Sequence, residues 1–153
     1  MAETSEIERA VENARQLMAR FGIECTTTVD ELKLWFQADT LYPDASLDEI
    51  LDTQLIVVHE LVEINEVKNA GLKLTKDVIL KNLDAVDTAH LVAATVELNL
   101  AYKLGDADHL KSRIRNIEQW CIDESVSEGN QKKYKELLAK TRDALARLEG
   151  KAR

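Results

Sequence analysis

The chain has 153 residues, of which 45% are hydrophobic and 31% charged, a balance typical of a globular protein rather than a disordered one. Its net charge of −8 argues against a nucleic-acid scaffold, because phosphate binding is driven mainly by Lys and Arg. One Pro and five Gly leave little room for turn-rich β architecture, and helix formers dominate instead. The length suits one domain, and we predict a single all-α domain over residues 1–153.

The sequence also indicates the cellular compartment of the protein. The longest purely apolar run, 55–58, is far too short to span a membrane. The N-terminal segment MAETSEIER is acidic and amphipathic, unlike a signal peptide. Cys25 and Cys121 lie far apart without metal-ligand spacing, so both are interpreted as reduced residues. These features predict a cytoplasmic protein with neither a membrane nor a nucleic acid as partner.

Capping signals place the first two helices. Ser5 and Glu8 have the spacing of a capping box and predict the start of a first helix, which Gly22 ends. Thr28 and Glu31 repeat that spacing and open a short second helix. Between the two helices, a short β-branched stretch is too brief to predict a strand.

Two long helices follow a loop at 39–46. The third helix is predicted over about 46–70, and the fourth begins at Thr75 or Asp77 and runs to about Leu104. Because the connection between them is short, they are predicted to pack as an antiparallel hairpin at the centre of a helical bundle.

The last part of the chain predicts two more helices. Asp106 or Asp108 caps the fifth, and Gly129 interrupts the chain before a sixth, strongly charged helix.

Acidic side chains interrupt the apolar pattern of both long helices. Residues 55–67 are apolar almost all round the helix axis, which predicts burial on most sides. Glu60 and Glu63 lie within this stretch, three residues apart and hence on one face. Asp84 and Asp87 have the same spacing, and Asp87 falls inside an apolar stripe, where Asp is rarely buried without a partner. In an antiparallel hairpin the two pairs can face each other.

Four facing carboxylates require a compensating cation or raised pKa values. Two carboxylates about 4 Å apart repel by about 4 kcal/mol at an effective dielectric constant near 20. Mg²⁺ suits such a set, because it prefers carboxylate oxygens, keeps several waters and bridges to substrate phosphates. We therefore predict a Mg²⁺ site at Glu60, Glu63, Asp84 and Asp87. The alternative is a salt-bridge network, a solvated acidic face or an interface.

The pattern Glu60-x-x-Glu63, followed about twenty residues later by Asp84-x-x-Asp87, resembles the all-α NTP pyrophosphatase superfamily. This group includes MazG-like enzymes, dimeric dUTPases and phosphoribosyl-ATP pyrophosphatases, and the resemblance covers about residues 48–106. It implies that the four carboxylates bind Mg²⁺, with Glu60 and Glu63 as the catalytic pair. The implied reaction is attack of a metal-activated water at the α-phosphorus of a nucleoside triphosphate, releasing pyrophosphate and a monophosphate.

Two positions depart from the superfamily pattern: His59 stands where the leading Glu is usual, and Asp84 is one carbon shorter than the usual Glu. The resemblance also implies a homodimer, because related enzymes complete their site with a second subunit. The apolar character of 55–67 favours a dimer as well. The alternative function is a non-catalytic helical interaction or scaffold protein that keeps the fold.

His59 and His90 are interpreted as boundary residues rather than ligands. The run His59-Glu60-x-x-Glu63 lacks the second His of the zinc-protease motif HExxH. Asp87-x-x-His90 and Asp106-x-x-His109 are similar to the Glu-x-x-His of di-iron bundles, but Asp106 fits better as a helix cap.

Overall fold

The structure is a computed structural model and describes residues 3–150; the two residues before this range and the three after it, which the predicted domain includes, lie outside it. Within the described range the chain forms helices and no strand, which confirms the predicted all-α class. In chain order the helices are α1 (Thr4–Arg20), α2 (Val29–Gln37), α3 (Leu47–Ile50), α4 (Gln54–Asn69), α5 (Val78–Lys81), α6 (Leu83–Lys103), α7 (Ala107–Ile122) and α8 (Glu128–Leu148).

The chain divides into two compact units, Met1–Ala93 and Ala94–Arg153. Helices α1 to α5 belong to the first unit, α7 and α8 belong to the second, and α6 begins in the first and ends in the second. The single domain and the central antiparallel hairpin stay predictions. Across the described residues, every helix is too short or too polar to cross a membrane.

Helix α4 is the core of the first unit, and α1, α2 and α3 all pack against it. Its burial on most sides, predicted from the sequence, is confirmed. The chain itself covers these side chains, so burial of α4 requires no second subunit, and the homodimer stays a prediction that rests on the resemblance. The buried apolar residues of α4 are Leu55, Val57, Val58, Leu61, Val62, Ile64 and Val67.

The predicted capping box at the start of the chain is wrong, whereas the second one is confirmed. Helix α1 begins at Thr4, so Ser5 lies inside its first turn, and the Glu3 carbonyl accepts the first helical hydrogen bonds. At α2, Thr28 accepts a hydrogen bond from the Glu31 backbone, and the Glu31 side chain accepts one from the Thr28 backbone. Gly22 ends the first helical segment with a φ of 72°, a left-handed conformation that favours glycine.

The segment 23–28, which connects α1 to α2 and is here named the strap, lies along one face of α4. The Thr27 hydroxyl donates to the Leu61 carbonyl at 2.7 Å, and the Thr26 backbone N–H and hydroxyl both donate to Oδ1 of Asn65, at 3.1 and 3.0 Å. Lys68 reaches the Thr26 hydroxyl at 3.3 Å. These three α4 positions are spaced by four and three residues and so share one face. The strap is therefore bound to α4 through both its backbone and its side chains.

Both long helices predicted in the centre of the chain are broken. The third ends at Ile50 and resumes at Gln54, because Thr53 has an extended backbone and its carbonyl accepts the first hydrogen bonds of α4. Asp and Thr favour helix ends over helix interiors, because their side chains compete for backbone groups. Ser46 caps α3 through the Glu49 backbone N–H.

Asn82 separates α5 from α6, where a continuous helix was predicted. Its side-chain amide donates to the Val78 carbonyl at 2.9 Å, taking an acceptor that the helix would use, and its own carbonyl accepts from Val86 at 2.9 Å. An Asn side chain that bonds a backbone carbonyl one turn earlier competes with the helical hydrogen bond, so one helix ends and the next begins at this residue.

In the second unit α7 packs against α8. Asp106 accepts a hydrogen bond from the His109 backbone at 3.0 Å, which confirms it as a helix cap. The predicted interruption at Gly129 is wrong, because Gly129 lies in the first turn of α8, which Ser127 caps. Tyr134 and Leu110 are fully buried in this unit.

Candidate metal centre

His59 and Glu63 of α4 and His90 of α6 bring their side chains together within the first unit. Across residues 3–150 this is the one group of three or more His, Cys, Asp or Glu side chains whose metal-ligating atoms all lie within 4.8 Å of one another. His59 is only 3% exposed and Glu63 only 6%, while His90 is half-buried. The cluster is thus almost closed from the α4 side and reachable from the α6 side.

The local structure explains why these atoms meet. His59 and Glu63 are four residues apart, one helical turn, so both project from the same face of α4. Nε2 of His59 lies 3.5 Å from Oε2 of Glu63. The His59 and His90 rings have centroids 4.8 Å apart and are inclined by 68°, an edge-to-face arrangement. The two nitrogen donors and the carboxylate therefore surround one small volume.

Because it is buried, the Glu63 carboxylate requires a hydrogen-bond donor or a positive charge beside it. A carboxylate withdrawn from water costs several kcal/mol unless it is paired or hydrogen-bonded. The neighbouring imidazole of His59 supplies an N–H or, when protonated, a positive charge. A bound cation satisfies the same need. The arrangement can therefore serve either as a buried polar pair or as a ligand set for a metal ion.

The four predicted metal ligands lie in different environments. Glu63 belongs to the buried cluster. Glu60 and Asp87 are half-buried, and each interacts with neighbouring groups. Asp84 is exposed in the first turn of α6, where its carbonyl accepts from Thr88. The four carboxylates do not form a group at the distance that unites the cluster, so their joint role as Mg²⁺ ligands stays a prediction.

The sequence interpretation missed the two histidines of the cluster. His59 is a core residue, so its interpretation as a boundary residue is wrong, whereas half-buried His90 fits that description. A signal for His59 was available: its spacing of four residues from Glu63 puts both side chains on one face. No comparable local signal links either residue to His90, because that contact depends on how α4 and α6 pack.

A groove of about 350 Å³ lies beside the cluster on the first unit, and its polar lining comes from Glu66, Asn69 and Thr88. Glu66 is three residues from Glu63 on α4, so the groove begins one turn from the cluster. Its volume is at the small end of the range for ligand sites. The other lining residues are Ala70, Ala85, Ala89 and Val92.

A second buried polar group lies in the second unit. Glu97 is fully buried, and its Oε2 lies 2.6 Å from Nε2 of His109. Arg113 donates from Nη2 to Oε1 at 3.1 Å, and its Nε lies 2.7 Å from Oε2 without the alignment of a hydrogen bond. The guanidinium also lies 5.0 Å from the centre of the Trp120 ring, at cation–π distance. Because Arg113 and His109 both bond the Glu97 carboxylate, this group is explained by its own internal pairing.

The interpretation of the His59 cluster as a ligand set rests on this geometry. No family model, no curated protein and no solved structure matches this chain.

Proposed function

We propose that this chain is a Mg²⁺-dependent nucleotide pyrophosphohydrolase, which cleaves a nucleoside triphosphate to a monophosphate and pyrophosphate. The proposal rests mainly on the burial of Glu63 beside His90, because a carboxylate of the first motif pair thereby lies against the helix that bears the second pair. His90 and Asp87 are three residues apart on α6 and so are neighbours on one face. Asp87 is thus about one turn, roughly 5 Å along α6, from this contact.

Mg²⁺ does not need all four carboxylates to meet at one point. It commonly keeps several waters and is held by one or two carboxylates together with substrate phosphates. Glu63 and Asp87 suit that role best, and Glu60 and Asp84 stand one turn from them along their helices. Bound Mg²⁺ supplies charge neutralisation to the phosphates and a lowered pKa to a coordinated water. The groove beside Glu66 offers space for part of a nucleotide.

The second candidate is a non-catalytic helical interaction or scaffold protein. Three observations favour it. Asp84 is exposed to solvent, and Glu60 and Asp87 already interact with neighbouring groups. Lys68, a basic residue near the motif that could hold a phosphate, is bound to Glu31 at 2.9 Å. In this case the acidic pairs contribute to solubility and local ion pairing.

The test is a product assay with a panel of common and damaged nucleoside triphosphates. Pyrophosphate and orthophosphate are measured separately, with Mg²⁺ and with a chelator. We expect Mg²⁺-dependent release of pyrophosphate, and we expect Glu63→Gln to abolish it. Asp52→Asn is the matched control, since Asp52 is an exposed carboxylate just before α4 and should leave the rate unchanged.

The two candidates give different results in this assay. A panel without turnover above the chelator control favours the scaffold function. Release of orthophosphate contradicts attack at the α-phosphorus while leaving Mg²⁺ binding intact. Equal loss of activity in both variants contradicts a specific role for Glu63.

A further inference from the structure

We infer that His59, Glu63 and His90 form a binding site for a divalent transition metal ion of the Zn²⁺ class. The donor set is two imidazole nitrogens and one carboxylate oxygen. Zn²⁺ is bound by this combination in proteins, whereas Mg²⁺ takes oxygen ligands almost exclusively. The site therefore differs in its chemistry from the Mg²⁺ ligands of the proposed function, although both use Glu63.

The distances approach those of a tetrahedral centre. At Zn–N and Zn–O bonds of 2.0–2.1 Å, neighbouring ligand atoms are about 3.3 Å apart. Nε2 of His59 and Oε2 of Glu63 are already 3.5 Å apart, and no pair in the cluster exceeds 4.8 Å. Two imidazoles on one tetrahedral ion place their ring centres about 5 Å apart, and the His59 and His90 centres are 4.8 Å apart. Small side-chain rotations complete the geometry.

The helices preorganise the ligand side chains, so that these are in position before an ion binds. His59 and Glu63 project from adjacent turns of one helix, which fixes their spacing, and the packing of α1, α2 and α3 fixes that helix. With two neutral imidazoles and one carboxylate, the ligand set carries one negative charge against the two positive charges of the ion. Three protein ligands leave a fourth position for water, as in catalytic rather than closed structural zinc sites. Half-buried His90 gives that position access to solvent.

The competing explanation is that His59 only pairs with the buried Glu63 carboxylate and that His90 packs against the His59 ring. Both contacts exist in the structure. Under this explanation, added Zn²⁺ finds no preferred place among the three histidines of the chain. The histidines themselves therefore provide the measurement.

The direct experiment is an NMR titration of the imidazole resonances of the full chain with Zn²⁺. We expect the His59 and His90 resonances to change until one equivalent has been added. His109, which is bound to Glu97 in the second unit, serves as an internal control and should remain unchanged. Resonances that do not respond, or a response of His109 equal to that of the other two, overturn the site.

Calorimetric titration of variants gives the second measurement. We expect His90→Gln and Glu63→Gln each to weaken Zn²⁺ binding by at least tenfold, in line with the effect of losing a ligand or its support. Glu66→Gln, one turn away on the same helix and outside the cluster, should retain the wild-type Kd. Binding with wild-type Kd in both ligand variants contradicts the site. A parallel titration with Mg²⁺ should show no binding that His90→Gln weakens. Neither measurement uses a nucleotide, so failure of the pyrophosphohydrolase proposal leaves this result independent.

Discussion

The Glu97 carboxylate and the His109 imidazole lie 2.6 Å apart in the second unit, and the Glu97 side chain has no contact with solvent. Arg113 shares the same carboxylate. Such a buried group adds little net stability compared with a well-packed apolar core, but removing one member leaves the others without compensation. The group therefore makes the second unit sensitive to single substitutions.

Replacing Glu97 by Gln should lower the free energy of unfolding by about 3–5 kcal/mol, because His109 and Arg113 lose the charge that compensates them. Urea denaturation is followed by tryptophan fluorescence in a Trp35→Phe background, so that the signal comes from Trp120, 5.0 Å from the Arg113 guanidinium in this unit. Glu118→Gln is the control, since its pair with Arg142 is exposed and should contribute less than about 1 kcal/mol. Equal effects of the two substitutions would show that burial does not determine how much an ion pair in this unit contributes to stability.

Glu31 should make part of the stability depend on pH. Burial on its own raises the pKa of this carboxyl, but the hydrogen bond and charge of Lys68, together with bonds from Thr28, hold it below its ordinary value of 4.5. A pKa lower in the folded than in the unfolded chain stabilises the fold above about pH 4.5, and this contribution is lost as the pH falls through the folded value. Thermal melts across this pH range should show that acid lowers the stability of Glu31→Gln and of Lys68→Met less than that of the wild type. An unchanged acid loss in both variants contradicts the assignment.

Asp87→Asn tests the proposed Mg²⁺ ligand. If Asp87 binds Mg²⁺, removing its charge relieves repulsion between neighbouring carboxylates. Without metal, the variant should then be at least as stable as the wild type, as at other strained functional sites. Mg²⁺ should stabilise the wild type by about 2.7 kcal/mol at a hundred times its Kd, and the variant hardly at all. Thermal melts with Mg²⁺ and with chelator measure both quantities. A variant that is about 3–5 kcal/mol less stable, beside a wild type indifferent to Mg²⁺, would assign Asp87 to a structural pair.

Cys121 should resist alkylation in the native protein. Burial raises the pKa of its thiol, with smaller opposing effects of Lys135 and Arg142, so little reactive thiolate forms at neutral pH. In a Cys25→Ser background, peptide mapping after iodoacetamide treatment should find Cys121 modified only once the chain is unfolded. Rapid modification of the native protein would mean that α7 opens readily.

Sequence signals within one or two helical turns correctly predicted several features that depend on local structure. The capping box at Thr28 and Glu31 and the cap at Asp106 are interactions within one turn, and the burial of α4 follows from its own apolar pattern. The break at Asn82 was missed because helical periodicity continues across it, while the side chain bonds to Val78 instead.

The cluster could be predicted only in part. Glu63 stands out in the sequence because a carboxylate within an apolar helix needs a partner. Which side chain of α6 meets it depends on the axial offset between α4 and α6. That offset depends on where α6 begins, and α6 begins after the break at Asn82 instead of continuing from α5. Spacing therefore does not single out His90, and the sequence pattern favours the carboxylates of α6 instead.

The strap also limits how the chain length can vary. Exposure alternates along the strap, where Thr27 is buried while its neighbours Thr26 and Thr28 are exposed. One inserted or deleted residue in 23–28 would turn the Thr27 hydroxyl away from Leu61 and bring an exposed side chain into the core. The loop at 39–46 is exposed along its whole length and has no such alternation to preserve. We therefore expect the fold to tolerate insertions in the loop at 39–46 and to lose stability when residues are inserted into the strap.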